Sequence, residues 1–350
     1  MDLKNSFQGK DWIDAELDYC REDYNALIDF AIQLKNSPVS THHEYLKNQT
    51  IYLIFFNQSL RTRSSFETGI TQLGGHASVL DPIKIYAPAM PGEDIPYSTE
   101  RVADIARVLA SYGEAIAIRM YGDPVDWCYG KANQAMKEFS KWSKIPIISM
   151  ECDKFHPGQA LADLITLKEH LKDFKKKKMV ISWAYSGSWH KPVAVPQSAV
   201  LATTKMGMDV VLAHPPGFEL DAEVITHAQE FARESGGSFS ISHDMDEAFE
   251  GADVVYPKSW VSLSHLPNPP HKSLDEEGMQ RLFQENQHWI CTKEKLALAK
   301  PEVRYMHCLP CDRGQEVTDE VLDGPHSIVF EQAANRLHAN KTIMSHLMGK

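Results

Sequence analysis

No stretch of this 350-residue chain approaches the roughly 20 consecutive apolar residues that span a bilayer. Residues 1–10 also lack the apolar run of a secretory signal, so neither a membrane span nor export is expected and a cytoplasmic location is. Cysteine is sparse and scattered: Cys20, Cys128, Cys152, Cys291, Cys308 and Cys311 do not form the dense pattern of a small disulfide scaffold and read as reduced thiols. Positive charge is in deficit, with 36 Lys and Arg against 47 Asp and Glu, a net charge of −11. Nucleic acid and anionic membrane surfaces would therefore be repelled over most of the protein, and any bound anion must be met by a local basic cluster. No repeat of fixed period is present. The basic run at 175–178 lies at a helix end before a strand, where it stabilises the helix C-terminus and solvates the turn.

What remains is an ordinary globular composition, 43% hydrophobic and 24% charged, on a chain long enough for two domains. Apolar runs at 51–56, 115–119, 145–150, 179–184, 209–213, 238–242, 253–256 and 304–307 read as strands. Helical patterns at 99–112, 160–173, 197–205 and 221–235 separate several of them. Such alternation points to α/β domains with parallel sheets, whose ligands bind beyond the C-terminal ends of the strands. The boundary is expected in or after 151–159, with 160–173 a long helix joining the halves. The Pro-rich segment 266–271 reads as a stiff loop rather than a domain linker.

One such strand end stands out. After Phe55-Phe56 come Ser59, Leu60, Arg61, Thr62 and Arg63, which open a helix continuing through Ser64-Ser65-Phe66-Glu67. Backbone N–H groups, hydroxyls and guanidiniums converge there on a helix N-terminus, which makes an anion site. Surface ion pairs and simple capping would account for any one of these residues, but not for all in succession.

Ser-x-Arg-Thr-Arg after a strand resembles the carbamoyl-phosphate motif of the aspartate and ornithine carbamoyltransferase family. Further motifs follow in that family's order: Arg119 ending Ala-Ile-Ala-Ile-Arg, His156-Pro157-Gly158-Gln159, His307-Cys308-Leu309-Pro310 and Asn335-Arg336-Leu337-His338. The resemblance spans nearly the whole chain. It implies two doubly wound parallel-sheet domains joined by a long helix, 1–155 binding carbamoyl phosphate and 156–330 binding the acceptor. The C-terminal helix, 331–350, would return to the first domain. It also implies a homotrimer or a multiple of trimers with sites at subunit interfaces, and no cofactor or metal.

In the implied chemistry a neutral amine attacks the carbonyl carbon of carbamoyl phosphate, a tetrahedral oxyanion forms, and phosphate leaves without a covalent enzyme intermediate. By resemblance, Ser59, Leu60, Arg61, Thr62 and Arg63 cradle the phosphate, while Arg119, His156 and the Thr62 hydroxyl polarise the carbonyl oxygen. Gln159 and the backbone carbonyls of Cys308 and Leu309 hold the carbamoyl NH₂, and Arg336 adds a cation. Cys308 and Cys311 also form a C-x-x-C, open to a redox or zinc reading, but no second ligand pair stands at matching spacing.

The acceptor side departs from the ornithine enzymes of the family. Where these carry an aspartate for the α-amino group, the run is Tyr256-Pro257-Lys258-Ser259-Trp260. A cation repels a free α-ammonium and attracts a carboxylate or an amide carbonyl. Lys-Ser-Trp, the segment 183–192 and Glu151 are similar to the N-acetylornithine and N-succinylornithine carbamoyltransferase branch, some of whose members have no assigned acceptor. The mapping puts Glu151, Lys258 and Trp260 on the acceptor. That branch has a lysine where Glu316 stands and a tryptophan-bearing loop donated to the neighbouring subunit, for which Tyr86 is the nearest substitute. Its Pro-rich loop makes a chain knot, which 266–271 would form here. The expected function is carbamoyl transfer to an N-acylated ornithine or similar carboxylate-bearing amine, in arginine biosynthesis. The alternatives are free ornithine as acceptor, a catabolic enzyme acting on a ureido compound, and a non-catalytic carbamoyl-phosphate binder.

Overall fold

The computed structural model describes residues 7–82, 84–268 and 272–349. The chain forms two compact units, the first built from Met1–Asp126, Gly130–Leu161 and Arg336–Lys350, the second from Trp127–Tyr129 and Ala162–Asn335. The helix Pro157–Leu171 runs from the first into the second, and the C-terminal helix Val329–Leu347 runs back. Residues 269–271 of the Pro-rich loop, on which the expected knot falls, lie outside the described residues.

In the first unit the strands β1 (Thr50–Phe55), β2 (His76–Leu80), β5 (Ala115–Arg119) and β6 (Ile147–Glu151) pair in parallel in the order β2-β1-β5-β6. A small parallel pair, β3 (Ala87–Ala89) and β4 (Thr99–Arg101), stands apart from that sheet. The apolar runs of β5 and β6 are buried at every position, as strands covered on both faces must be. Their order reverses direction between β1 and β5, so the loops leaving those strands splay apart and open a crevice. The anion motif follows β1, and Arg119 is the last residue of β5, paired with Phe55.

The second unit repeats the plan with β7 (Lys178–Trp183), β8 (Asp209–Ala213), β9 (Ser238–Ser242), β10 (Val254–Lys258) and β11 (Arg304–Tyr305), all parallel in the order β11-β10-β7-β8-β9. Here the reversal falls between β7 and β10. Lys258 ends β10 opposite Trp183, which ends β7.

The expected strands are all present, while the helix expected at 99–112 is shorter, Val102–Leu109, because 99–101 pair as β4. The linking helix starts earlier than 160, at Pro157, a residue whose fixed φ and missing N–H suit the first helical position. His156 therefore stands immediately before a helix.

Within the first unit the C-terminal helix lies against the helix Leu60–Gln72. Asn340 Nδ2 donates to Ser65 Oγ at 2.7 Å, and one turn on, a Cβ on Gly69 would meet Met344 Cε at 3.0 Å and Lys341 Cγ at 3.2 Å. The missing side chain lets the helices approach closely enough for Arg336 to reach Thr62. Gly69→Leu should overpack this contact and cost about 1–3 kcal/mol in denaturant unfolding. The same variant should lose affinity for phosphate in titration calorimetry, because Arg336 is carried on the displaced helix.

Candidate active site

Ser59 caps the helix Leu60–Gln72, its Oγ accepting from the Thr62 N–H at 3.2 Å. Leu60 turns outward and Arg63 reaches along the surface to Glu67 at 3.3 Å, whereas Thr62 is buried. Two motifs far apart in sequence meet at Thr62. Arg336 Nη2 donates to Thr62 Oγ1 at 3.0 Å and Arg336 Nη1 to Gln159 Oε1 at 2.6 Å. Arg61 lies close enough to His156 to act on its charge, as do Arg336 and Arg119.

His156 is completely enclosed. Burial first, then the positive field of Arg336, Arg119 and Arg61, push its pKa well below the ordinary 6.5, so the imidazole is neutral. Its Nε2 lies 3.5 Å from the carboxylate of Glu151. The same carboxylate pairs with Arg119 Nη1, and Arg119 Nη2 donates to the phenol oxygen of Tyr121 at 2.9 Å. Burial alone would lower the guanidinium pKa, but the field of Glu151 leaves it above its ordinary value. Arg119 Nε is buried with no partner among the described residues. An unpartnered buried donor costs free energy that an incoming oxygen would recover.

An open cavity of about 970 Å³ lies at the C-terminal ends of β1, β2 and β5, its wall including Ser59, Arg63, Met120 and Lys131. Its position is where a switch-point ligand binds.

The second unit has its own polar cluster. Lys258 is buried, its Nζ donating to Ser259 O at 2.8 Å and lying 3.6 Å from Glu316 Oε1. Glu316 has no exposure at all; its oxygens accept from the N–H groups of Ser259 at 2.7 Å and Asp312 at 2.8 Å. Burial opposes that charge, but Lys258 and His307 hold the carboxyl far below the ordinary range. Lys191 joins the rim through Asp312 at 2.7 Å. Trp260 is fully buried, its indole donating to Phe218 O at 2.9 Å, so its ring is part of the core of this unit. Cys308 and Leu309 follow His307 on a loop fixed by Gln332, whose Oε1 accepts from the His307 N–H at 2.9 Å.

Among the described residues, His307, Cys311 and Glu316 bring possible ligand atoms within 4.8 Å of one another. The donor chemistry does not suit an ion. His307 Nδ1 accepts from the Leu309 N–H at 2.9 Å, which leaves the ring proton on Nε2, facing Glu316. Burial also pushes the Cys311 thiol up, away from the thiolate a metal needs. The six cysteines are free thiols.

Sequence reasoning missed Tyr121, Gln332 and Ser65. Only the position of Tyr121, two residues beyond a strand-end arginine, offered a signal.

Residues 10–169 match the family model of the aspartate/ornithine carbamoyltransferase carbamoyl-P binding domain, and residues 181–347 that of its Asp/Orn binding domain. The chain belongs to the aspartate/ornithine carbamoyltransferase family. It is a carbamoyltransferase by descent as well as by pattern. It is 40% identical to an N-acetylornithine carbamoyltransferase of Xanthomonas campestris, over 100% of this chain and 99% of that protein. An ornithine carbamoyltransferase of Pyrococcus abyssi is 36% identical over 98% of this chain and 97% of its own length. A crystal structure of acetylornithine transcarbamylase complexed with acetylcitrulline superposes with a TM-score of 0.89 at 38% identity, covering 97% of this chain and 99% of that one. The carbamoyltransferase fold is thus shared along nearly the entire chain. No helix among the described residues is long and apolar enough to cross a membrane.

Glu316→Leu should leave Lys258 buried without its counter-charge and lower unfolding free energy by about 3–5 kcal/mol near neutral pH. A carboxyl with a depressed folded pKa contributes fully above its unfolded value, here 4.5, and less as pH falls below it. Denaturant curves should show a constant gap between the two proteins from neutral pH down to about 5, narrowing in stronger acid.

Proposed function

We propose that this carbamoyltransferase moves the carbamoyl group from carbamoyl phosphate to the side-chain amine of an N-acylated ornithine, and that Lys258 reads the acylated end. The observation that carries this reading is a buried lysine, held by Glu316, at the strand reversal of the second unit. A cation there favours a carboxylate or an amide carbonyl over the α-ammonium of free ornithine. The N-acetylornithine carbamoyltransferases among the relatives support it. So does a crystal structure of an N-acetyl-L-ornithine transcarbamylase variant complexed with carbamyl phosphate and N-succinyl-L-norvaline, 38% identical to this chain. Free ornithine is the second reading, favoured by the ornithine carbamoyltransferase relatives at 36% identity.

On this reading the first unit takes the donor. The N–H groups opening the helix Leu60–Gln72, with Ser59, Arg61 and Arg63, hold the phosphate. Arg119, Thr62 and neutral His156 direct donors at the carbonyl oxygen, where negative charge grows as the amine nitrogen bonds to carbon. Gln159 and the Cys308 and Leu309 carbonyls hold the NH₂ group, and Arg336 adds charge. The carbon–oxygen bond then breaks, phosphate leaves with the electron pair, and the amine gives up its proton. Glu151 and Lys258 serve the acceptor, and Trp260, two residues beyond Lys258, anchors that loop through the bond from its buried indole to Phe218 O.

The active form would be a cytoplasmic homotrimer or a multiple of it, working in arginine biosynthesis. In favour of assembly, Tyr97, Ile95 and Tyr86 are 94%, 58% and 52% exposed, large apolar side chains that a neighbouring subunit would cover. An active monomer in sedimentation would contradict it.

Three measurements test this function. N-acetylornithine or N-succinylornithine should exceed ornithine in kcat/KM by about 100-fold, close to 3 kcal/mol; preference for free ornithine would overturn the reading. Lys258→Asp should abolish the preference for the acylated amine, and an unchanged acceptor profile would remove Lys258 from the site. Because His156 stays neutral at and below its ordinary pKa of 6.5, kcat/KM should rise with pH as the acceptor amine deprotonates, with no break from His156 near that value.

A further inference from the structure

The first unit contains a second polar connection that the carbamoyl-transfer scheme leaves unused. Asn57 lies between the end of β1 and Ser59, the cap of the phosphate helix. Its carboxamide donates from Nδ2 to the carbonyl of Tyr121 at 3.0 Å and accepts at Oδ1 from the N–H of the same residue, also at 3.0 Å. The donor and acceptor on Tyr121 fix which way the amide points. The last backbone rung between these chain segments, Phe56 N–H to Arg119 O at 3.0 Å, comes immediately before. Asn57 thus extends the ladder past the strand ends, where the chain would otherwise diverge into two loops.

Tyr121 completes the connection. Its phenol oxygen accepts from Arg119 Nη2 at 2.9 Å, and the Arg119 guanidinium carbon lies 5.1 Å from its ring centroid. Glu151 holds the other terminal nitrogen of the same guanidinium, leaving buried Nε without a partner among the described residues. With both terminal nitrogens engaged the plane is fixed, and with it the direction of the Nε–H bond.

We infer that Asn57 and Tyr121 are positioning residues for carbamoyl transfer. Asn57 sets the distance between the phosphate-binding helix start and Arg119, and Tyr121 orients the Arg119 guanidinium for the carbonyl oxygen. This rests on the carbamoyl-phosphate assignment of the first unit. A phosphate site alone would tolerate a swinging arginine; a developing oxyanion does not, since misplacement by about 1 Å costs on the order of 100-fold in rate.

Tyr121→Phe removes one oxygen and keeps the ring. It should lower kcat about 10-fold or more while the unfolding temperature stays within about 4 °C of wild type and the calorimetric Kd for inorganic phosphate within about twofold. Asn57→Ala frees both loops and should weaken phosphate binding as well as kcat. Wild-type kcat in Tyr121→Phe would overturn the orienting role, as would a loss of phosphate affinity equal to the loss in kcat. Phosphate affinity unchanged in Asn57→Ala would overturn the spacing role; if that variant does not fold, Tyr121→Phe still decides the proposal. Wild-type protein that turns over none of the amines would sink the proposed function separately, because the phosphate titration of Asn57→Ala needs no acceptor.

Discussion

The guanidinium of Arg336 is the tie on which the donor site depends. It donates to Thr62, 274 positions earlier in the chain, and to Gln159, 177 positions earlier. These neutral acceptors orient the cation without cancelling its charge. A guanidinium so enclosed needs hydrogen bonds to offset lost hydration, and it needs an anion to offset the field. The fold supplies the bonds, and on the proposed reading a phosphate dianion would add the opposing field, a local exception within a protein of net charge −11. His156 is part of the same balance: among guanidiniums it stays neutral, a hydrogen-bonding group rather than a further cation.

Both units use their sheets in the same way. A parallel sheet whose strand order reverses must send adjacent loops apart, and the gap is a ready place for a ligand. In the first unit the reversal brings the anion loop of β1 beside Arg119; in the second it brings Lys258 beside the loop after Trp183. The chemistry differs because the side chains at the strand ends differ. Arginines gather around the strand ends of the first unit, whereas the lysine of the second is restrained by a fully buried carboxylate.

What could be read from the sequence follows from how local each signal is. Buried parallel strands such as β5 and β10 announce themselves as apolar runs. The edge strand His76–Leu80 does not, for His-Ala-Ser-Val-Leu has neither an apolar run nor the strict alternation that marks the other edge strand β9, Ser-Phe-Ser-Ile-Ser. The helix start capped by Ser59 was legible since its cap, hydroxyls and guanidiniums are consecutive. Arg119, His156 and Arg336 were legible only through resemblance to a family, for a lone arginine or histidine carries no sign of its neighbours. Tyr121, Gln332 and Ser65 went unread because each acts through a contact made by folding. Gln332, for example, holds the His307 backbone 25 positions away and Asp163 at 169.

Glu316 shows how a departure from a family pattern can be physically coherent. Considered alone it replaces a lysine with the opposite charge in the middle of a core, which ordinarily destabilises by leaving a carboxylate without water. Here Ser259 and Asp312 present N–H groups to its oxygens, and Lys258 and His307 turn positive or hydrogen-bearing atoms toward it. The carboxylate is therefore solvated by the protein, and it gives the buried Lys258 a counter-charge. Restraint also limits the lysine: a counter-ion at 3.6 Å, with Ser259 O at 2.8 Å, leaves the ammonium little freedom in direction. A cation held this way discriminates by geometry as much as by sign, favouring an acceptor whose carboxylate or carbonyl arrives along one line over one that merely carries negative charge.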